Sequence, residues 1–264
     1  MFREELSILF RNKGNDMEKF YMKLADKVIA VSANYQTTRE FCRKYLLDEE
    51  PSEVDVVVNI DLTDIEEEKK VAENANLGAF SDKYLETLAL HRKVSEELTK
   101  FNTVLFHGSA IAVDGEVYLF TAPSGTGKST HTRLWRECFG EKAIMVNDDK
   151  PFLHLNEDGS ITVYGAPWDG KHHLSTNVGM PLKAICILSQ ALENKIQKVS
   201  KKEGLQPLYL QTFWSNTNKG MVKNSLEVLS GILNQSLWHL ECNISKEAVK
   251  VSYEAMSGKC MEEM

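Results

Sequence analysis

The residues whose types and spacing could do chemistry lie between positions 107 and 173. Ala122-Pro-Ser-Gly-Thr-Gly-Lys-Ser129 follows an apolar, β-rich run, Val117 to Phe120, and opens an amphipathic stretch carrying Leu134, Trp135 and Phe139. Strand, small-residue loop and helix in that order are the setting of a phosphate-binding loop of the Walker A kind, here with Ala122 at the first glycine position. Gly125 and Gly127 lack a Cβ, so the backbone can curl and aim several N–H groups at one phosphate. The helix that starts near Ser129 adds its unpaired N–H groups and the positive end of its dipole. Lys128 is placed to reach the β- and γ-phosphates of ATP, and the Ser129 hydroxyl to hold the Mg²⁺ that bridges them. Ser124, Gly125, Thr126, Gly127, Lys128, Ser129 and Thr130 are therefore the candidate nucleotide-binding residues. Arg133, one turn beyond Ser129, is a further candidate phosphate contact.

Phosphoryl transfer also needs a metal-side carboxylate and an aligned nucleophile. Asp148 and Asp149 stand 20 and 21 residues beyond Lys128, at the end of an expected strand, Ala143 to Asn147. Neighbouring strand side chains point to opposite faces, so both acids serve one site only if the backbone leaves extended geometry there. Asn147 and Pro151 provide for that. Asp148 is read as the general base toward an acceptor hydroxyl and Asp149 as the metal carboxylate; the plain alternative is that one of them caps a turn. His107, on a strand whose hairpin partner feeds the loop, could polarise the acceptor or touch the γ-phosphate, or be structural. Lys171, His172 and His173 form a basic cluster beside Trp168 and Asp169, a tentative substrate site for an acidic acceptor. A solvated basic loop is the competing reading. Adjacent histidines invite zinc, but no third ligand stands at a recognisable spacing.

Taken together, LFHGSAIAVDGEVYLFTAPSGTGKST followed by MVNDDKP resembles the catalytic domain of the HPr serine kinase/phosphorylase family. It is similar, more distantly, to the ATP-dependent phosphoenolpyruvate carboxykinases, whose loop also reads Ser-Gly-Thr-Gly-Lys. The resemblance spans roughly residues 103 to 190. It implies an α/β fold with a mixed sheet around the loop rather than a doubly wound one. It also implies that His107 and Asp148 activate an acceptor serine while Asp149 and Ser129 bind the metal. Where that family carries a Glu-Arg-Gly signature this chain has GAPWDGKHH, so neither HPr recognition nor a phosphorolytic back reaction is implied. The expected activity is transfer of the γ-phosphoryl group of ATP, with Mg²⁺, to a hydroxyl on a peptide, a protein or a small metabolite. A nucleotide-binding module without turnover and a phosphoenolpyruvate-linked lyase are the rivals.

The remaining sequence must position these groups. With 264 residues, 42% hydrophobic and 26% charged, the chain suits a soluble globular protein with a substantial core. A net charge of −7 argues against a nucleic-acid scaffold. The five cysteines are scattered without metal spacing and read as reduced thiols. The charged N-terminus has no apolar signal core, and no window has the length of a membrane-spanning helix, so a cytoplasmic protein is expected. Homo-oligomerisation stays open, with Trp214 and Trp238 as core or interface residues.

In order along the chain, Leu6, Ile8, Leu9 and Phe10 are expected to pack locally. Phe20 to Val31 reads as a strand with a turn at Ala25-Asp26. A helix capped within Ser32 to Asn34 should run through Tyr35, Phe41, Tyr45 and Leu46, and Val54 to Ile60 is a strand. The acidic segment Asp61 to Asn76 reads as an exposed helix or flexible connection. It separates an N-terminal α/β unit, 1–76, from a catalytic unit, 77–264. Tyr84 to Leu98 is helical. Val104 to Val113 is a strand, turning at Asp114-Gly115 into the strand before the loop. Phe152 to Leu155 and Ile161 to Tyr164 make a second hairpin, residues 165–180 a loop and Leu182 to Leu188 a strand. Helices near 203–213, 221–233 and 246–256 and a strand Leu237 to Cys242 complete the chain.

Overall fold

The computed structural model describes residues 17–214 and 219–261. The apolar positions of the lead-in, Leu6 to Phe10, lie outside them. Contacts divide the chain into two compact units, Met1–Glu97 and Leu98–Met264. That boundary is downstream of the acidic segment at which the sequence placed its division.

In the first unit, β1 (Glu18–Leu24) and β2 (Lys27–Ala33) pair antiparallel through a two-residue turn. Ala25 and Asp26 both take positive φ, as a tight hairpin of this twist demands. Parallel to β2 lies β3 (Val56–Asn59). Between them the expected helix is short: α1 covers Gln36–Phe41 and gives way to a 3-10 turn at Arg43–Tyr45. The acidic segment is a helix, α2 (Leu62–Asn74), started by a capping box in which Asp61 and Asp64 each satisfy the other's backbone N–H. The long helix α3 (Asp82–Thr99) follows, and the unit boundary falls in its last turn.

The second unit is built on a mixed sheet. At its centre β6 (Glu116–Thr121) runs parallel to β10 (Gly179–Gln190), which runs parallel to β12 (Leu237–Cys242). On the other side β5 (Ser109–Val113) is antiparallel to β6 and to β7 (Ala143–Asn147). Beyond β12 the strand β11 (Lys195–Lys198) closes that edge antiparallel; no strand was expected there from sequence. The first residues of β10 pair instead with β9 (Ile161–Tyr164), and the ladder continues through β8 (Phe152–Leu155) to β4 (Thr103–Leu105). Val104 to Val113 is thus two strands, not one. Thr103–Leu105 pairs with β8 while Ser109–Val113 pairs with β6 and β7, and the break between them carries His107.

Strand alternation sorts the core. Tyr118 and Phe120 face one side, where α4 (Lys128–Phe139) and α7 (Lys246–Ser257) bring Leu134, Trp135, Val249 and Tyr253. Val117 and Leu119 face the other, against Leu208 of α5 (Lys201–Gln211) and Val228 and Ile232 of α6 (Lys219–Leu233). Among the described residues no helix is long and apolar enough to cross a membrane.

Candidate functional site

The loop from Ala122 to Gly127 leaves the end of β6 and delivers the chain into α4. Gly125 has φ +81° and Gly127, the N-cap of α4, has φ +118°, backbone that side-chain-bearing residues rarely adopt. No side chain caps this helix, so its first N–H groups face the loop without a partner of the capping kind. The Lys128 side chain is buried and turned back onto the loop, donating to Ala122 O at 2.9 Å and to Pro123 O at 3.5 Å. Burial pushes its pKa down, opposed by the charges of Asp149 and Asp148. An anion placed in the loop would restore its preference for the charged form.

The acidic pair sits where β7 ends. Asn147 Oδ1 accepts from the backbone N–H of Asp149 (2.9 Å) and of Lys150 (2.6 Å), a side-chain turn that takes the chain out of extended geometry. The two carboxylates therefore need not point to opposite faces, and their surroundings differ. Asp148 is 6% exposed, and its Oδ1 accepts from Ser109 Oγ at 2.7 Å and Thr132 Oγ1 at 3.4 Å. Thr132 lies on the turn of α4 that follows Ser129. Asp149 has a 35% exposed side chain and faces His107, with Nε2 to Oδ1 at 3.4 Å.

His107 is held from behind by a residue that sequence reasoning missed. Gln211, the last residue of α5, accepts from the His107 backbone N–H through its own carbonyl (2.8 Å), while its Oε1 lies 2.7 Å from His107 Nδ1. No motif marks Gln211, and it stands 104 residues from its partner. Burial comes first, then the charges of Lys128 and Lys150, in holding the His107 pKa below its usual value; Asp149 and the Gln211 hydrogen bond work the other way. The histidine and the acid face each other at 3.4 Å, and the loop lysine is close enough for its charge to act on both.

The segment after β9 folds back beside this pair. Asn147 Nδ2 donates to the carbonyls of Ala166 (3.0 Å) and Trp168 (3.4 Å), and a Cβ on Gly170 would come 3.5 Å from that of Asp149. Within it Trp168 and Asp169 are buried. Asp169 spends both oxygens on the loop itself, one 2.9 Å from His173 Nδ1 and one accepting from Ser175 N at 2.9 Å. Lys171 and His172 are exposed beside them. Arg133 pairs with Glu137 at 2.7 Å, one turn along the exposed face of α4. Among the described residues no three His, Cys, Asp or Glu side chains gather as a preformed metal cage. Ser129 and Asp148 nonetheless offer the hard oxygens that a Mg²⁺ carried by phosphates requires of a protein.

No protein-family model matches the sequence. No curated protein matches it significantly. Among solved structures it is similar to the structure of the Hpr(Ser) kinase/phosphatase from Coxiella burnetii, at 11% identity, over 58% of this chain and 95% of that chain, with a TM-score of 0.34. A likeness at that TM-score carries no argument, and the chemistry rests on the residues described above.

Proposed function

We propose that the chain is a phosphotransferase that moves the γ-phosphoryl group of ATP to a hydroxyl on a peptide, a protein or a small metabolite. One observation carries the reading: the buried Lys128 of a glycine-curled loop lies within electrostatic reach of the adjacent Asp148 and Asp149 and of His107, which itself faces Asp149 at 3.4 Å, four groups from three segments. In this reading the loop N–H groups and Lys128 hold the phosphates, and Ser129 and Asp148 would hold a Mg²⁺ that would supply neutralisation of the phosphate charge. The acceptor oxygen forms a bond to the γ-phosphorus, the bond to the β–γ bridging oxygen breaks, ADP leaves, and the hydroxyl proton passes to the Asp149–His107 pair.

The roles of the two acids are proposed in the reverse of the order expected from sequence. Asp148, buried and tied to α4 through Thr132, suits the metal side with Ser129. Asp149, more open and opposite His107, suits the acceptor. Asp149→Asn is expected to lower kcat by roughly 100-fold or more with little change in ATP affinity. Asp148→Asn should weaken Mg²⁺-dependent nucleotide binding, and Lys128→Ala should impair binding and turnover together. ATP binding measured by calorimetry, and ³²P transfer to peptide and metabolite hydroxyls, separate these outcomes. Full turnover in Asp149→Asn would return the base role to Asp148. Tight ATP binding with neither transfer nor hydrolysis would leave a binding module.

A further inference from the structure

A cleft of about 560 Å³ is lined along one edge by the glycine loop itself, through Gly125, Thr126 and Gly127. Its floor and walls come from Thr130 and Leu134 of α4, Leu188 and Gln190 at the end of β10, and Asn243 and Ile244 after β12. Neither Lys128, Asp148, Asp149 nor His107 lines it. No lining side chain is a lysine, arginine or carboxylate. The one titratable ring, His131, is kept neutral by burial, which lowers its pKa to about 4. Gln190 Nε2 donates to Thr126 O at 3.1 Å, so the rim of the cleft is laced to the glycine loop. Ile244 is 77% exposed at its mouth, a large apolar side chain left in water.

We infer that this cleft holds the nucleoside half of the nucleotide, and that it thereby fixes the direction in which the triphosphate lies. The inference rests on the reading of the loop as a phosphate cradle. If the γ end lies with Lys128, Asp149 and His107, the nucleoside end must lie elsewhere along the loop, and this cleft borders the loop at Gly125 to Gly127 and Thr130 without touching any of the γ-end groups. Its volume falls within the range of small-molecule sites. An uncharged lining of aliphatic walls with a few amide and hydroxyl groups suits a flat, neutral heterocycle on a sugar and would be a poor host for a further anion. Ile244 is positioned to cover one face of such a ring and be covered in return.

The test compares ATP with inorganic tripolyphosphate, each titrated calorimetrically into the full chain with Mg²⁺. Ala191→Trp, which fills the cleft, is expected to weaken ATP binding roughly tenfold or more while leaving tripolyphosphate unchanged. Ile244→Ser, at a site too exposed to affect folding, should weaken ATP several-fold and tripolyphosphate not at all. Unaltered ATP affinity in both variants would overturn the assignment of the cleft and leave the phosphate loop standing. Failure of the unmodified chain to bind either ligand would remove the loop reading, and the cleft with it.

Discussion

At the scale of single residues, His107 and its support make the sharpest forecast. Gln211 accepts the backbone N–H of His107 and holds its ring through Nδ1, so the ring is fixed with Nε2 toward Asp149. Because burial and two lysines hold the histidine below its ordinary pKa of about 6.5, its neutral form persists into more acid solution. The acid limb of kcat/KM should therefore lie below that value. Gln211→Glu places a carboxylate on the ring and stabilises the imidazolium, and Lys150→Gln removes a repelling charge. Both changes should move the limb upward, read from a pH–rate profile of each variant. A limb that stays put in both would show that His107 does not titrate in the rate. The lysine and the two acids were legible in the sequence because a loop and a strand end fix their places within some twenty residues. Gln211 was not, since only the meeting of α5 with the break between β4 and β5 brings it to the site.

At the scale of elements, the segment from Gly165 to Val178 decides whether the acidic pair keeps its neighbours. It closes on β7 through Thr176, whose N–H reaches Val146 O at 3.3 Å and whose hydroxyl reaches Met145 O at 3.0 Å. A Cβ on Gly165 would stand 2.0 Å from Thr176 O and 2.7 Å from Val146 O, both backbone atoms that cannot swing aside. Gly165→Ala should cost about 3 kcal/mol of stability, at the upper end for overpacking, measured by denaturant unfolding. Activity should fall with it as Gly170 shifts away from Asp149, and an unchanged unfolding midpoint would refute the close approach. Strand ends marked by Gly, Asn, Asp or Pro, such as Asn147 and Asp114-Gly115, were readable because turn chemistry is local. The helix after β2 was readable too, but its early end and what holds its start were not. Glu86, fully buried on α3, accepts from the backbone N–H groups of Asn34 (2.6 Å) and Tyr35 (3.1 Å) and so fixes the chain just ahead of the first turn. An anchor supplied from 52 residues away leaves no trace beside the helix it precedes.

At the scale of the whole molecule, the site belongs to the larger unit: the loop, the acids, His107, Gln211 and the cleft all fall within Leu98–Met264. That unit's sheet is covered on both faces, and the face under α4 and α7 encloses an imidazole. His131 packs against Phe120 at 4.6 Å between ring centroids, and its Nε2 accepts from Trp135 Nε1 at 3.1 Å. The proton must then sit on Nδ1, and burial lowers the pKa to about 4. The unfolded chain, with a histidine near 6.5, binds a proton that the folded chain refuses in the interval between the two values. Stability conferred by the neutral ring is therefore present above about pH 6.5 and is lost as pH falls toward 4. The linkage amounts to about 2 kcal/mol between pH 7 and pH 5, a window above the range in which most carboxylates titrate. Denaturant unfolding at those two pH values should register that loss in the unmodified chain. His131→Gln keeps an amide for Trp135 and Ser252 but carries no titrating group, so it should be less stable at pH 7 and lose far less between pH 7 and pH 5. Equal slopes in the two proteins would mean that the ring is not held neutral by its burial, and that the face beneath α4 admits water.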